Sequence, residues 1–544
     1  MITTQQRMRI FSVFFFFCTI YGIIIAHVFC IQIKKHHFFS TLAHKQYHIT
    51  CTHTPSRASI IDRHGNHLTT NKEHISAFLV PNHLHNSKTV QSFLQNYFPE
   101  ALERLQKQRT SKFMFIKRRL SEEEIHLIKT SGSPDIHLLE EHNRYYPIPS
   151  TAQIVGMTNV DNKGILGIEL LYDKQLAGKP STYVLEKDAR SHYYHFAKET
   201  IVQGHNGTPI QLTIDTNLQF LAFEELKKTV IQFKAKEGAV LILDPTNGDI
   251  LTMVSYPSFD PNNAQSITIA STKNSTITES YELGSVFKVF VALAALEEGV
   301  VSLDEPIDCL DKTTAYLDGR QINTWKAHGI IPFSQVIEQS NNIGIAIIAK
   351  RLNAILYNHL RKLGFGNKTG IQLPGEQSGF VNPPHLWSKQ SIISLSYGYE
   401  VRATLLQLAR AFCIIAHDGY DVTPRLLLNN TIHIADTPLY KADTIATVKD
   451  ILKNTTMYGT AKRAAIKGYD IMSKTGTANL LDHGVYNNKK NIYTCAGIID
   501  KDNYKRVIVT FIKESARSNL FASQVSAPLF ERIAEKLLIH DKMV

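Results

Sequence analysis

The sequence lacks the residue patterns that mark disulfide-rich domains and metal sites. Its six cysteines, among 544 residues, show no paired spacing, and Cys18 and Cys30 lie in an apolar N-terminal run. A disulfide framework is therefore excluded, although an isolated bond outside the cytoplasm stays open. The 24 histidines form neither a metalloprotease helix nor a carboxylate-supported cluster. We expect no metal ion and no other cofactor.

Acidic residues are fewer than basic ones. Lys and Arg number 59 against 48 Asp and Glu, which gives a net charge of +11. A solvated, lysine-rich surface accounts for this excess, and an anionic membrane surface or an acidic polymer would also suit it. No stacked-aromatic basic motif accompanies the charge, so nucleic-acid binding is not expected.

One run is long and apolar enough to cross a membrane. Residues 10–33 are 24 positions without Lys, Arg, Asp or Glu. As a helix they span roughly 36 Å, against a hydrocarbon core of about 30 Å. A cleaved signal peptide would have a shorter apolar region and an Ala-x-Ala site, which this run lacks. A lipoprotein would have a small residue before its cysteine, but here Phe29 precedes Cys30. We predict an uncleaved transmembrane anchor at 10–33 after a cytoplasmic head at 1–9.

The rest of the chain is too long for one ordinary domain. Residues 34–56 are His-rich and polar and indicate a stalk. Residues 57–195 mix strand-like runs with charged helical stretches, including a capping box that begins at Ser121. From 205 to 544, apolar helices alternate with strands such as 239–243, 250–255 and 506–513. This alternation predicts a sheet covered by helices on both faces.

The most informative pattern is Ser285-Val286-Phe287-Lys288, the single Ser-x-x-Lys of the chain. A serine hydroxyl is a weak nucleophile at neutral pH and needs a base within hydrogen-bond reach. Positions i and i+3 share a helix face, which places Lys288 beside Ser285 if a helix begins here. Lys288 is the only polar residue in 286–296, so the helix is predicted to be buried. Burial would lower the pKa of Lys288 and free its amine to act as a base.

The residues around the serine suit an acyl-transfer site in a second way. Gly284 permits a tight entry into the helix. The backbone N–H of Ser285, at the helix start, can point at a developing oxyanion. The backbone N–H of Thr477 is the candidate for a second donor.

Two further motifs follow in order. Ser340-Asn341-Asn342 begins 55 residues after Ser285, and Lys474-Thr475-Gly476-Thr477 begins 134 residues after Ser340. Each motif alone is a weak signal, since Lys-Thr-Gly also occurs at 368–370. That earlier copy lies in a glycine-rich turn and is followed by Ile371, whereas Lys474 follows a strand-like run at 468–472. We therefore assign the third motif to Lys474.

In this order the three motifs form the signature of serine enzymes that form acyl-enzymes with penicillin. The chain resembles the class B penicillin-binding proteins, which are monofunctional peptidoglycan D,D-transpeptidases, over nearly everything from Arg57 onward. Other segments similar to that family lie at 57–65, 144–147, 164–169, 212–219, 244–250, 256–262, 364–379, 397–398, 407–409 and 527–530. The resemblance implies a multidomain protein with an N-terminal transmembrane helix, an α+β pedestal (dimerisation) domain at 57–195, and an α/β penicillin-binding transpeptidase domain at 205–544. In that last domain an antiparallel sheet is sandwiched by helices.

The resemblance also implies a role for each motif residue. Ser285 would attack the carbonyl between the two terminal D-alanines of a stem peptide, and Lys288 would take its proton. Ser340 would relay a proton to the leaving D-alanine, with electrostatic support from Lys474. The residues implied in substrate binding are Asn342, Thr475, Gly476 and Thr477. An amine of a neighbouring stem peptide would then attack the acyl-enzyme and form a cross-link. β-Lactams would be trapped because they mimic the acylating dipeptide but deacylate slowly.

Within the family, Glu282 and the segment 340–344 are more similar to the septal FtsI type than to elongation enzymes. This implies septal cell-wall synthesis during cell division. The implied partners are the membrane, lipid-linked nascent glycan, a SEDS-family glycosyltransferase and other division proteins. The implied location is the bacterial inner membrane, with a single span and a periplasmic catalytic domain.

Three alternatives stay open at this point. An elongation-type transpeptidase, which acts in cell shape, would carry the same motifs. A β-lactamase, carboxypeptidase or antibiotic sensor would also carry them, but it would not need the signatures in 57–178. A non-catalytic division scaffold would retain the fold only. The family usually has other residues at five positions of this chain: Ala58, Ser275, Leu283, Val286 and Ser473.

Overall fold

The computed structural model describes residues 3–187, 193–482 and 484–543. The chain divides into two compact units. The first comprises Met1–Arg57 with Ala177–Gly207, and the second comprises Ala58–Leu176 with Thr208–Val544. This division differs from the predicted domain limits, which stay predictions, because 177–207 groups with the N-terminal segment.

The helices and strands are numbered in chain order. The α-helices are α1 Thr4–Phe29, α2 His36–Tyr47, α3 Ser87–Tyr97, α4 Pro99–Lys107, α5 Glu122–Ser131, α6 Ala152–Val155, α7 Gly167–Leu171, α8 Asp173–Ala177, α9 Thr216–Phe233, α10 Ser275–Thr278, α11 Lys288–Glu297, α12 Phe333–Glu338, α13 Asn342–Leu352, α14 Ile355–Lys362, α15 Ser391–Ser396, α16 Leu405–Ala416, α17 Ala442–Met457 and α18 Ala522–His540. The strands are β1 His48–His53, β2 Ile60–Ile61, β3 Thr70–Leu79, β4 Met114–Lys117, β5 His137–Tyr145, β6 Met157–Thr158, β7 Gly164–Leu166, β8 Ser181–Lys187, β9 Tyr193–Val202, β10 Ile210–Gln211, β11 Glu237–Leu243, β12 Ile250–Tyr256, β13 Pro306–Asp308, β14 Thr314–Leu317, β15 Arg320–Asn323, β16 Ile330–Pro332, β17 Phe380–Val381, β18 Val401–Arg402, β19 Asp470–Asp482, β20 Val485–Lys501 and β21 Tyr504–Lys513.

The first unit holds the predicted membrane helix. The helix α1 continues as a π-helical turn to Lys34, and the span Thr4–Lys34 is long and apolar enough to cross a membrane. Beyond it, the predicted stalk contains α2 and β1, and β1 pairs antiparallel with β8 in a three-stranded sheet that also includes β9. The polar composition of 34–56 gives no signal for this strand. The strand forms by pairing with 181–187, more than 120 residues away in sequence.

The pedestal part of the second unit is built on the sheet β4-β3-β5. Helices α3, α4 and α5 contribute apolar side chains to a small core with this sheet, and the capping box at Ser121 is present at the start of α5. Three segments that resemble the family, 57–65, 144–147 and 164–169, contact one another in this unit. Arg144 Nε donates to Glu169 Oε1 at 2.6 Å in a fully buried ion pair, and Arg144 Nη2 donates to the carbonyl of Ala58 at 2.7 Å.

The predicted sheet covered on both faces is confirmed. Its strand order is β12-β11-β21-β20-β19, and every pair is antiparallel. Side chains alternate along β11, because successive residues of a strand point to opposite faces. Ala239, Leu241 and Leu243 pack in a core with α11, α13 and α16, whereas Val240 and Ile242 pack in a core with α9 and α18. The strand β19 at the sheet edge carries the third motif.

Candidate active site

Ser285 lies in a short 3-10 turn, Gly284–Phe287, that leads directly into α11. Both flanking residues that depart from the family pattern, Leu283 and Val286, are fully buried in the main core. Ser285 itself stays partly exposed and lines a cavity of about 690 Å³. The apolar neighbours therefore fix the turn, and the hydroxyl faces the cavity.

Lys288 is the first residue of α11, and its side chain is fully buried as predicted. In a 3-10 turn the side chains at i and i+3 eclipse each other, so Ser285 and Lys288 share one side of the turn. The Lys288 amine donates to the carbonyl and Oγ of Ser340 at 2.6 and 3.1 Å and to Asn342 Oδ1 at 2.5 Å. The hydrogen bonds of the described residues include none from Lys288 to Ser285 Oγ.

Ser340 lies in the turn between α12 and α13, with a left-handed φ of 54°. Asn341 caps α13, because its Oδ1 accepts from the N–H groups of Ile343 and Gly344. The middle residue of this motif is thus structural. Asn342 follows at the first position of the helix, where its Nδ2 donates to the carbonyl of Asn323 at 2.6 Å.

Lys474 reaches the same serine from the sheet. Its fully buried amine donates to Ser340 Oγ at 2.9 Å and to the carbonyl of Thr475 at 3.1 Å. Thr475 and Thr477, two residues apart on β19, both line the cavity. The hydroxyl of Thr477 also accepts from the N–H of Ala522, at the start of α18.

Two glycines allow β19 to approach the nucleophile turn. A Cβ at Gly476 would lie 2.5 Å from the carbonyl oxygen of Leu283 and 2.9 Å from the nitrogen of Val286. Gly284 has a φ of +63°, and a Cβ there would lie 2.9 Å from the carbonyl oxygen of Thr477. Glycine is therefore required at Gly476 by packing, in addition to its predicted substrate contact.

Both lysines are placed where a charge is costly. Burial, followed by the nearby Lys474 amine, holds the pKa of Lys288 well below its usual value. Burial lowers the pKa of Lys474 to about 7. The site can therefore hold free amines near neutral pH, which is the state that a base requires.

The departure at Ser473 is accommodated by a local partner. Ser473 is buried, and its Oγ lies 2.9 Å from the Oγ1 of Thr456 in α17. The same Thr456 hydroxyl accepts from the Ser473 N–H at 2.9 Å. The extra hydroxyl of Ser473 is thus hydrogen-bonded and does not enter the cavity.

The rejected Lys-Thr-Gly copy at 368–370 lies in a loop. The N–H and Oγ1 of Thr369 donate to Glu376 Oε1 at 2.6 and 2.5 Å, and Gly370 N donates to Oε2 of the same carboxylate. The Thr369 hydroxyl is therefore hydrogen-bonded within the loop. None of the residues 368–370 lines the cavity around Ser285.

Sequence reasoning missed part of the cavity wall. The additional lining residues are Asn323, Thr324, Trp325, Gly459, Thr460, Lys462, Arg463, Phe521, Ala522, Ser523 and Gln524. They come from three segments that meet only in the folded domain, and none carries a recognisable motif. Among the described residues, no group of His, Cys, Asp or Glu could hold a metal ion.

Comparisons with known proteins show the family to which the chain belongs. A family model described as the penicillin binding protein transpeptidase domain matches residues 238–535, and one described as the penicillin-binding protein dimerisation domain matches 52–212. The chain is 31% identical to the peptidoglycan D,D-transpeptidase FtsI of Escherichia coli over 78% of this chain and 71% of that protein. It is 27% identical to the stage V sporulation protein D of Bacillus subtilis over 97% and 85%, respectively.

Two solved structures share the fold. Penicillin binding protein 3 of Mycobacterium tuberculosis, complexed with aztreonam, superposes with a TM-score of 0.68 at 24% identity, over 90% of this chain and 97% of that one. A peptidoglycan synthetase of Bifidobacterium adolescentis gives a TM-score of 0.70 at 20% identity, over 91% and 97%.

Proposed function

Because the chain belongs to the penicillin-binding protein transpeptidase family, we propose that it is a peptidoglycan D,D-transpeptidase that acts through an acyl-enzyme on Ser285. The observation that carries this proposal is the pair of buried lysines. Lys288 and Lys474 both donate to Ser340 Oγ, in the same cavity as Ser285. A neutral Lys288, on the same side of the turn as Ser285, is a base suited to activating Ser285 near neutral pH.

In the acylation step, Ser285 Oγ attacks the carbonyl carbon of the penultimate D-alanine, and its proton passes to the Lys288 amine. The backbone N–H groups of Ser285 and Thr477 stabilise the oxyanion. As the intermediate collapses, the C–N bond breaks, and a proton reaches the leaving D-alanine nitrogen through Ser340. Lys474 supports that relay.

In the transfer step, an amine of a second stem peptide attacks the ester carbonyl and gives up a proton through the same groups. The ester bond breaks, and Ser285 is regenerated with its proton. Asn342 holds the donor backbone, and Thr475 and Thr477 hold the terminal carboxylate beside Gly476. No cofactor takes part in these steps.

The septal role, the orientation and the partners are part of the proposal. The similarity of Glu282 and 340–344 to septal enzymes supports a role at the division site over an elongation role. With α1 as a single inner-membrane anchor, the catalytic domain lies in the periplasm, where lipid-linked nascent glycan, a SEDS-family glycosyltransferase and division proteins can meet it. A fluorescent fusion confined to the septum supports this role, whereas a lateral distribution contradicts it.

Penicillin labelling tests the chemistry. The protein is incubated with a fluorescent penicillin, and the adduct is located by intact mass and peptide mapping. We expect a stable adduct on Ser285 that is absent in Ser285→Ala and retained in Ser302→Ala, a matched control at an exposed serine outside the cavity. Rapid release of the label would instead indicate a β-lactamase, and no adduct on folded protein would indicate a scaffold.

A further inference from the structure

The segment 323–328 runs along the turn that carries the second motif. At its start, the carbonyl of Asn323 accepts from Asn342 Nδ2 at 2.6 Å. Two residues later, Trp325 Nε1 donates to the carbonyl of Gln339 at 2.6 Å. The chain on both sides of the motif serine is therefore hydrogen-bonded to this one segment.

A third hydrogen bond joins His328 to Asn341, the middle residue of the motif. His328 Nδ1 lies 3.2 Å from Asn341 Nδ2. The orientation of the Asn341 amide is fixed, because its Oδ1 accepts from the N–H groups of Ile343 and Gly344 at 2.9 and 3.0 Å. The nitrogen of a side-chain amide is only a donor. His328 Nδ1 must therefore be the acceptor, which requires a ring without a proton on Nδ1.

Protonation of His328 would remove this acceptor. Both ring nitrogens of a protonated histidine are donors, so the Nδ1–H group would face the amide nitrogen of Asn341. Asn341 is fully buried, and a buried donor without a partner is costly. A reversed Asn341 amide would offer its oxygen to His328, but it would break the two hydrogen bonds that cap α13. In either case the turn between Ser340 and Asn342 loses hydrogen bonds that hold it.

The surroundings of His328 keep its ring neutral until the solution is acidic. Burial, followed by the nearby Lys326 ammonium, lowers the pKa of His328 from its usual value of 6.5. A hydrogen bond with the Lys326 backbone and the Asp311 carboxylate act in the opposite direction. Asp311 belongs to the segment that packs here, since its N–H donates to the His328 carbonyl at 2.8 Å. The ring is therefore an acceptor at neutral pH, and this state is lost as the pH falls below 6.5.

We propose that His328 is a positioning residue for the acylation step and that it makes this step sensitive to pH. In its neutral form His328 holds Asn341, and with it the two neighbouring motif residues that accept from the Lys288 amine. In its protonated form it no longer accepts from Asn341, and the acceptors of Lys288 are displaced. This proposal rests on the proposed transpeptidase function, because it concerns the rate at which Ser285 is acylated.

Positioning by His328 and a purely electrostatic role differ in sign. A positive charge on His328 would lower the pKa of the Lys288 amine and so provide more free base in acid. Positioning has the opposite effect, because protonation removes a hydrogen bond that holds the turn. A substitute for His328 that accepts a hydrogen bond but does not titrate therefore distinguishes the two roles.

Three variants of the full-length protein in detergent provide the test. In His328→Asn, the side-chain oxygen can replace Nδ1 as the acceptor, and it does not titrate. His328→Leu removes the acceptor at every pH. His385→Asn is the matched control, at an exposed histidine that does not line the cavity. The rate of labelling by a fluorescent penicillin is measured between pH 5 and 8, and each sample is denatured before the fluorescence is read at one common pH.

At each pH the rate of a variant is divided by the rate of the wild type, so that the acid limb set by the lysine base cancels. For His328→Asn we expect a ratio near one at pH 8 that rises to about fivefold or more at pH 5, the range expected when a buried donor loses its partner. His328→Leu should be slower than the wild type at pH 8 by a similar factor. The ratio for His385→Asn should stay near one. A ratio for His328→Asn that is flat, or that falls in acid, overturns the proposal.

Intact mass and thermal unfolding, both recorded at pH 8, separate the possible failures. A wild-type adduct on Ser285 together with a flat ratio for His328→Asn contradicts only the role of His328. A folded wild type that forms no adduct contradicts the proposed function, and the role of His328 is overturned with it. If His328→Leu shows no unfolding transition, the ratio for His328→Asn decides the question.

Discussion

Lys288 and Lys474 share one hydrogen-bond partner, since their amines donate to Ser340 Oγ at 3.1 and 2.9 Å. One lysine comes from the start of α11 and the other from the edge strand β19. Ser340 lies in a left-handed turn between two helices. Its hydroxyl accepts from one lysine of a helix and one lysine of the sheet, so it connects these two parts of the domain at the site. The proton relay proposed here depends on this junction.

Ser340→Ala should impair acylation without unfolding the domain. The change removes the hydroxyl to which both amines donate, and positioned proton transfer contributes about 10²- to 10⁴-fold to rate. We expect the rate of acylation by penicillin to fall at least 100-fold, with only a modest fall in melting temperature because two buried amines lose one acceptor. Stopped-flow labelling with thermal unfolding as the control checks this, and a fall below tenfold would argue against a relay through Ser340.

Lys474→Met should move the pH profile of acylation. The positive charge of Lys474 lowers the pKa of Lys288, so its removal raises that pKa. The free Lys288 amine would then appear only at higher pH, and the acid limb of the rate profile should shift upward. The shift of the acid limb is measured from the acylation rates of the variant, through its residual activity, between pH 5 and 10. An acid limb at the wild-type pH would contradict the coupling of the two lysines.

The same variant should be more stable than the wild type at pH 7. The pKa of Lys474 is about 7 in the folded protein, against 10.5 when exposed. Between these values the unfolded chain binds a proton that the folded protein does not, so the wild type loses stability as the pH falls from 10.5 to 7. Lys474→Met removes this penalty, which is of the order of several kcal/mol. A higher melting temperature at pH 7 that converges with the wild type near pH 10 is expected.

Gly476→Ala should distort the nucleophile turn. The added methyl group would meet the carbonyl oxygen of Leu283 at 2.5 Å, and forced overpacking costs about 1–3 kcal/mol. We expect a lower melting temperature and a large loss of Ser285 labelling. Gly329→Ala is the matched control, since nothing lies within 4 Å of a Cβ there. Normal labelling of Gly476→Ala would show that the close approach is not needed.

Arg144→Ala should destabilise the pedestal region. The change removes one member of an ion pair whose two side chains are fully buried, so the Glu169 carboxylate loses the charge of Arg144. Removal of one partner from a buried ion pair costs about 3–5 kcal/mol. Denaturant unfolding should show this loss. Arg109→Ala, at an exposed arginine that follows α4, should have little effect.

The sequence predicted the parts of the site that carry local signals. The apolar run that buries Lys288 and the strand that carries Lys474 appear as expected, whereas Ser285 lies in a 3-10 turn before the helix and no described hydrogen bond joins Lys288 to its Oγ. The hydrogen bonds of Lys288 to Ser340 and Asn342 could not be predicted, because they depend on how α13 packs against α11. The wall formed by Trp325, Lys462 and Phe521 was also missed, since three distant segments build it without a shared pattern.

The predicted stalk shows the same limit. The polar, His-rich composition indicated a stalk at 34–56 but did not show that this segment contains a strand, β1, that pairs with β8. Strand pairing across more than 120 residues is a long-range contact that local composition does not encode. The fold of the catalytic domain, by contrast, was predictable because each strand of its sheet carries a strong apolar pattern.

The central claim is tested most directly by following both products of cross-linking. The full-length protein is given a donor that ends in D-alanyl-D-alanine and an acceptor stem peptide, and D-alanine and the cross-linked dimer are quantified by mass spectrometry. The account predicts that the wild type releases D-alanine and forms dimer in step, and that Ser285→Ala forms neither. Release of D-alanine without dimer, or dimer formation by Ser285→Ala, would contradict it.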